Sequence, residues 1–197
     1  MDNGILFLLG EFGTGKDYLS QQLELLDEIH FHKMLQVTTR EKRENEKDGV
    51  DGHFISKKDF LSLLEKKLIM SWSLIKRTGN YYGNLYSEYD FKKINVIGGD
   101  PDRLDNLLKD REKINKIPIW VVYLNASDKT KIERYRLRDS NFSEKEIVDR
   151  IKDQRFSERM KEHRLFTFSS FWNDGVSSKD FLIFVKKLIE DIPNGML

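Results

Sequence analysis

The sequence predicts an α/β protein: a mostly parallel sheet in a three-layer fold, with helices on both faces. Three observations carry that expectation. Apolar runs of strand length, at residues 5–9, 94–97 and 118–124, are separated by stretches whose apolar residues recur at helical spacing. Strands that alternate with helices pair in parallel and are covered on both faces, so their sequences read as nearly unbroken apolar runs. No repeat, low-complexity tract or Pro/Gly/Ser linker interrupts the 197 residues, a length that suits one compact domain.

The first element is the run Ile5-Leu6-Phe7-Leu8-Leu9, which reads as a buried strand. A glycine-rich turn follows, and then Leu19, Leu23 and Leu26 mark a helix by their spacing. Residues 36–56 are polar, charged and punctuated by glycine, which suits an irregular excursion with short strands. A helix is expected at 57–66, and strands at 68–75 and 85–89 flank a turn at 79–83. The strand at 94–97 ends in Gly98-Gly99-Asp100. Pro101 then suits the first position of a helix, where its missing N–H would be unpaired anyway. After the strand at 118–124, Ser127 or Asp128 can cap a basic helix. Ser143 and Glu146 have the spacing of a capping box that opens a helix toward residue 162. A last strand is expected within 165–171, and Phe181 to Ile189 carry the apolar face of a final helix.

Composition narrows the function. The formal net charge is only +1, without the basic excess from which nucleic-acid affinity comes, so no nucleic-acid partner is expected. With no cysteine, disulfides, thiolate nucleophiles and cysteine-ligated metals are excluded. The apolar run at 5–9 is far too short for a membrane span and follows Asp2 instead of a basic region, so no membrane association is expected. A soluble cytoplasmic protein, monomer or homodimer, fits these features.

Gly10-Glu11-Phe12-Gly13-Thr14-Gly15-Lys16 fits the pattern G-x-x-x-x-G-K, between an apolar strand and an amphipathic helix. Glycines let successive backbone N–H groups turn inward onto phosphate oxygens, and the helix N-terminus adds partial positive charge. Lys16 would sit on the transferring phosphate and offset its charge in the transition state. A plain chain reversal does not need three glycines and a lysine in this context. The loop therefore points to ATP as a phosphoryl donor. Position 17 holds Asp where a Ser or Thr hydroxyl would ligate Mg²⁺. Asp17 has two readings: a carboxylate that reaches the metal, or a first-turn acidic residue that favours the helix dipole.

Arg40 and Arg43 lie three residues apart with Glu46 beside them. Such guanidinium forks bind phosphate oxygens in pairs, although the same stretch also reads as a solvated charged loop. Gly79-Asn80-Tyr81-Tyr82-Gly83 puts phenolic hydroxyls in the expected turn, for phosphate binding or for packing. Arg134, Arg136, Arg138 and Arg150 are spread along two expected helices, where they face either solvent or a site.

Together these residues resemble guanylate kinase. That family has the same phosphate loop, a T-T-R-x-x-R-x-x-E segment matched by Thr38 to Glu46, and a G-N-Y-Y-G segment matched by residues 79–83. The resemblance runs over nearly the whole chain in the same order. It implies an ATP-dependent kinase with Mg²⁺ and a small phosphorylated acceptor. Residues 1–197 would form one domain, with a core at 1–35, 90–137 and 147–197, an acceptor-binding segment at 36–89 and a lid at about 138–146. Gly10, Gly13, Thr14, Gly15, Lys16 and Asp17 would hold the donor, with Asp17 on the metal. By the same resemblance Arg40, Arg43 and Tyr82 would hold the acceptor's phosphate, with Glu46 in support. Arg138 and Arg150 would be lid arginines over the transferring group, and Asn173-Asp174 would meet the adenine.

Departures gather at one end of the acceptor pocket. Gln36, Ser71 and Asn84 stand where the family reads guanine with a serine, a glutamate and a Ser/Thr. Gly52 replaces a phosphate-site tyrosine, and Gly98 replaces an acidic residue, while Asp100 matches a second acidic position. Lys16-Asp17, Ser71-Trp72, Gly98-Gly99 and Asn173-Asp174-Gly175 resemble instead the ribose 1,5-bisphosphate phosphokinase branch, whose acceptor has no base. The acceptor is thus expected to be GMP, dGMP or a modified nucleotide, with ribose 1,5-bisphosphate as the alternative. Guanylate kinase-like domains also serve as non-catalytic phosphopeptide binders, a third reading that the intact loop disfavours.

Overall fold

The structure is a computed structural model that describes residues 3–110, 117–138, 144–153 and 169–195. Strand β1 (Gly4–Gly10) is buried along its whole length. It lies at the centre of a five-stranded parallel sheet, between β7 (Ile94–Gly99) and β8 (Ile119–Asn125). Strand β2 (Phe31–Lys33) flanks β7, and β9 (Ser169–Trp172) flanks β8. Alternate residues of β1 serve opposite cores, as the two-residue period of a strand requires. Leu6 and Leu8 pack with Leu19 and Leu23 of α1 (Lys16–Leu26) and with Phe181 and Val185 of α6 (Ser178–Asp191). Ile5, Phe7 and Leu9 pack on the other face with Leu104 and Leu107 of α3 (Pro101–Lys109). Each such side chain, fully removed from water, contributes about 1.5–3 kcal/mol of burial free energy. The expected α/β architecture is what forms.

A second, four-stranded sheet rises from the chain between β2 and β7. Its order is β4 (His53–Phe54), β3 (Gln36–Thr38), β6 (Asn80–Leu85), β5 (Ile69–Ile75). Phe60 of α2 (Lys57–Glu65) covers it together with Val37 and Ile69. Met70 of β5 and Tyr89 beyond β6 belong instead to the core under β1, so the two sheets share apolar packing. Helix α3 also lies against β5, across the junction.

Three local expectations are corrected. Residues 79–83 are not a turn: only Gly79, at φ 70°, turns the chain, and Asn80 to Gly83 already belong to β6. Pairing with β3 on one side and β5 on the other overrides the turn chemistry of its Gly-Asn start. No strand forms at 85–89, because β6 ends at Leu85 and residues 86–88 make a single 3₁₀ turn. Gly98 and Gly99 extend β7 where a strand end was expected, and β2 is an unexpected edge strand. Pro101 opens α3, as its backbone suits. Ser127, not Asp128, caps α4 (Asp128–Arg138), its hydroxyl accepting from Thr130 N at 3.3 Å. Helix α5 spans Glu144–Asp153; Ser143, the helix as far as 162 and the strand before 169 fall outside the described residues. Among the described residues no helix is long and apolar enough to cross a membrane.

Candidate active site

The phosphate loop joins β1 to α1 at the carboxyl end of the central strand. Gly13 and Gly15 have φ of 80° and 91°, a left-handed region that glycine enters without steric cost. Gly15 is also crowded, since a Cβ there would lie 2.5 Å from Asn173 Nδ2. A loop of this shape, running straight into a helix N-terminus, gathers amide dipoles for an anion. Lys16 Nζ donates to Gly10 O at 2.7 Å and to Glu11 O at 2.9 Å, so the ammonium lies over its own loop. Thr14 is buried, and its hydroxyl donates to Glu11 O at 2.8 Å.

The loop is braced from behind. Asn173 Nδ2 donates to Thr14 O at 2.8 Å. Arg134 bridges Gly13 O at 3.2 Å and Asn173 O at 2.7 Å. Lys131 pairs with Glu11 and Asp128, each at 2.7 Å. Burial pulls the Lys131 pKa down, but those two carboxylates more than offset it and leave it above its ordinary value. Asp174 accepts from Ser127 N at 2.9 Å, a bond that lowers its pKa and fixes the start of α4. Sequence reasoning missed Lys131, because a lysine in a basic helix carries no signal of being turned inward.

Beside the loop, Gly98 of β7 lies close against the start of α1. A Cβ there would lie 3.3 Å from Lys16 Cβ and 3.8 Å from Asp17 Oδ1. The carboxylate absent from β7 is therefore matched by one reaching over from α1.

The arginine cluster lies beyond β3. Glu46 accepts from both terminal nitrogens of Arg40, each at 2.6 Å, and from Arg43 Nη1 at 2.6 Å. It also accepts from Arg43 N at 2.8 Å. Burial would raise the Glu46 pKa, but these bonds and charges overcome it and hold the carboxyl at about 2. Arg40 further stacks on the Phe54 ring, 5.0 Å from its centroid. Two guanidiniums are thus positioned side by side around one carboxylate. Tyr82 of β6 is paired in register with Thr38, two residues before Arg40. Gly52 has its Cβ position 2.9 Å from Gln36 O, so this backbone has no room there for a tyrosine.

Ser71 and Asn84 are both buried, on strands that pair beside each other, and both turn to Arg103 of α3. Arg103 Nε donates to Ser71 O at 2.7 Å, its Nη2 donates to Asn84 Oδ1, and Ser71 Oγ donates to Arg103 O at 3.3 Å. Ser71 has φ 50°, a strained value for a non-glycine residue, at an irregularity in the β5–β6 pairing. Asp100 caps α3 through Arg103 N at 3.0 Å and accepts from Ser73 Oγ at 2.8 Å. Asn84 Nδ2 donates to Leu35 O at 2.9 Å. Burial drives the Arg103 pKa down to about 10 against the raising effect of Asp100, Asp17 and Tyr82, which leaves it charged at neutral pH.

The expected site residues thus fall into three groups: the loop with Asn173, the Arg40–Glu46–Arg43 cluster with Tyr82, and the set around Arg103. Arg103 and Ser73 were not anticipated. Arg138 ends α4 and Arg150 lies within α5, but their side chains and the intervening lid residues fall outside the described residues. Arg134 braces the loop, whereas Arg136 is exposed.

Comparison with known proteins agrees on one family. The guanylate kinase family model matches residues 3–170. A guanylate kinase of Mycoplasmopsis pulmonis is 28% identical over 171 residues, 83% of this chain and 84% of that protein. One from Prochlorococcus marinus is 36% identical over 81 residues, which cover 41% of this chain and 42% of that protein. A solved guanylate kinase structure from Anaplasma phagocytophilum superposes with a TM-score of 0.65 at 18% identity, over 96% of this chain and 86% of that one, a likeness of fold.

Proposed function

The chain belongs to the guanylate kinase family, and on that footing we propose that it transfers the γ-phosphoryl group of ATP to a nucleoside monophosphate: GMP, dGMP or a modified nucleotide. The observation that carries this reading is the braced phosphate loop, with Lys16 poised over Gly10 and Glu11. The Arg40–Arg43 pair supplies the matching anion site for the acceptor.

In this mechanism an acceptor phosphate oxygen bonds to the γ-phosphorus while the bond to the β–γ bridging oxygen breaks, and ADP leaves. Lys16 exchanges its two carbonyl partners for donor phosphate oxygens and offsets the charge that develops there. Arg40 and Arg43 hold the acceptor phosphate in line, oriented by Glu46. Asp17, whose carboxylate lies beside Gly98 at the start of α1, would hold Mg²⁺, an ion that needs only one or two protein carboxylates beside substrate phosphates. When bound it would neutralise charge on the donor phosphates. Asp100 accepts from Ser73 Oγ and caps α3, a structural role, and Asp17 is the residue we assign to the metal.

A second reading, ribose 1,5-bisphosphate as acceptor, is favoured by the burial of Ser71 and Asn84 against Arg103. A coupled ADP-release assay over GMP, dGMP, other nucleoside monophosphates and ribose 1,5-bisphosphate tests both. Turnover of a nucleoside monophosphate supports the first reading. Turnover of ribose 1,5-bisphosphate alone would replace it with the second. Failure to bind ATP by calorimetry would sink both and leave the phosphopeptide-binding reading.

A further inference from the structure

Arg103 is 2% exposed, and no carboxylate among the described residues lies within ion-pair distance of it. Keeping an unmatched guanidinium out of water is costly, and packing α3 on β5 needs no charge. Ser71 and Asn84 hold it by Nε and Nη2, which use two of the five N–H groups of a guanidinium. No described residue accepts from Nη1. The carboxylates that act on it at longer range are those of Asp100 and Asp17, both residues of the candidate site. The holding arrangement is also strained, because Ser71 keeps its positive φ between two bonds to Arg103. A cation built in at such expense points to a ligand.

Its position says which part of the acceptor it meets. Tyr82 and Asn84 are two apart on β6 and so face the same way, separated by about 7 Å of strand. Tyr82, expected by resemblance at the acceptor phosphate, is in register with Thr38, two residues before Arg40, and Asn84 lies at Arg103. That spacing is about the reach of a ribose. A guanidinium donates and never accepts. It pairs with two adjacent acceptors, such as O6 and N7 of guanine, or with a second anionic group, and finds a donor in the way at the amino rims of adenine and cytosine.

Resting on the phosphotransferase reading above, we propose that Arg103 sets acceptor specificity: it selects an acceptor whose end remote from the phosphate presents paired hydrogen-bond acceptors or negative charge.

The test is calorimetric binding of GMP, AMP, CMP and ribose 1,5-bisphosphate to the wild type, R103M and R103K, each with a non-hydrolysable ATP analogue, alongside ADP release. The wild type should bind GMP or ribose 1,5-bisphosphate well above AMP and CMP. Preference for GMP identifies the base edge, and preference for the bisphosphate identifies the anion. R103M should weaken the favoured acceptor about 10- to 100-fold, with R103K, which keeps the charge and loses the planar fork, in between. Affinity for the ATP analogue should not change. A folded R103M that binds the favoured acceptor like the wild type would overturn the proposal. So would a wild type that binds AMP as tightly as GMP and the bisphosphate, or an equal loss for every ligand including the ATP analogue. Should R103M not fold, unaltered binding by R103K overturns it equally. Acceptor binding without ADP release refutes the phosphotransferase reading alone, because the binding comparison still decides the role of Arg103.

Discussion

Lys16 and Glu46 are both charged side chains held by close partners, and the chemistry of those partners sets what each does. Lys16 spends its ammonium on two carbonyls of its own loop, at 2.7 and 2.9 Å, bonds that a phosphate can replace. Lys16→Ala should lower transfer by roughly 10²–10³-fold or more, the scale of removing one charge-stabilising donor, and a thermal melt should show the fold retained. Near-normal turnover would be incompatible with the mechanism. Glu46 is held by Arg40 and Arg43 at a pKa of about 2, below its ordinary 4.5. A depressed carboxyl contributes stability that is complete above the unfolded pKa and is lost as pH falls through the folded one. Melting of the wild type should therefore weaken between about pH 4.5 and pH 2, and Glu46→Gln should flatten that part of the profile. An identical pH profile in the variant would show that the cluster is not formed in solution. The Arg40, Arg43 and Glu46 grouping was legible because three residues at fixed spacing within one loop must end close together. Arg103 was not, because its two side-chain partners, Ser71 and Asn84, lie 32 and 19 residues away and only the folded chain brings them to it.

At the scale of elements, the junction of the phosphate loop with α1 is decided by backbone more than by side chains. Gly15 and Gly79 both have positive φ, 91° and 70°, but their surroundings differ. At Gly15 a methyl group would meet Asn173 Nδ2 at 2.5 Å, whereas at Gly79 nothing lies within 4 Å. Gly79→Ala should cost about 1–2 kcal/mol of backbone strain and leave ATP affinity unchanged. Gly15→Ala should cost at least as much and also push Asn173 off Thr14 O, weakening ATP binding by calorimetry. Equal ATP affinities in the two variants would argue against the bracing role of Asn173. The glycine pattern of the loop was readable because only glycine fits that path. The strand identity of residues 80–83 was hidden for a related reason: Gly-Asn reads as a turn start, and only pairing with β3 and β5 makes the following residues a strand.

At the scale of the whole molecule, the parallel sheet was legible because its apolar runs are buried on both faces and leave little other choice. The four-stranded sheet was less so, since its short strands are polar on one side and depend on partners far along the chain. What joins the two is specific: Met70, fully buried, leaves β5 to pack in the core under β1 with Ile5, Phe7 and Val121. Arg103 ties α3 to β5 and β6 at the same junction. If these contacts make one cooperative unit, damage to the junction must be felt equally in both sheets. Met70→Ala should cost about 2–5 kcal/mol, as for other large-to-small changes in a core. Native-state hydrogen exchange reads both sheets in one molecule, so no comparison between differently perturbed variants is needed. Among the slowest amides, those of β1 and β8 and those of β6 should accelerate by the same factor. Acceleration confined to β6 and its neighbours would mean that the four-stranded sheet opens on its own while the parallel sheet stays closed.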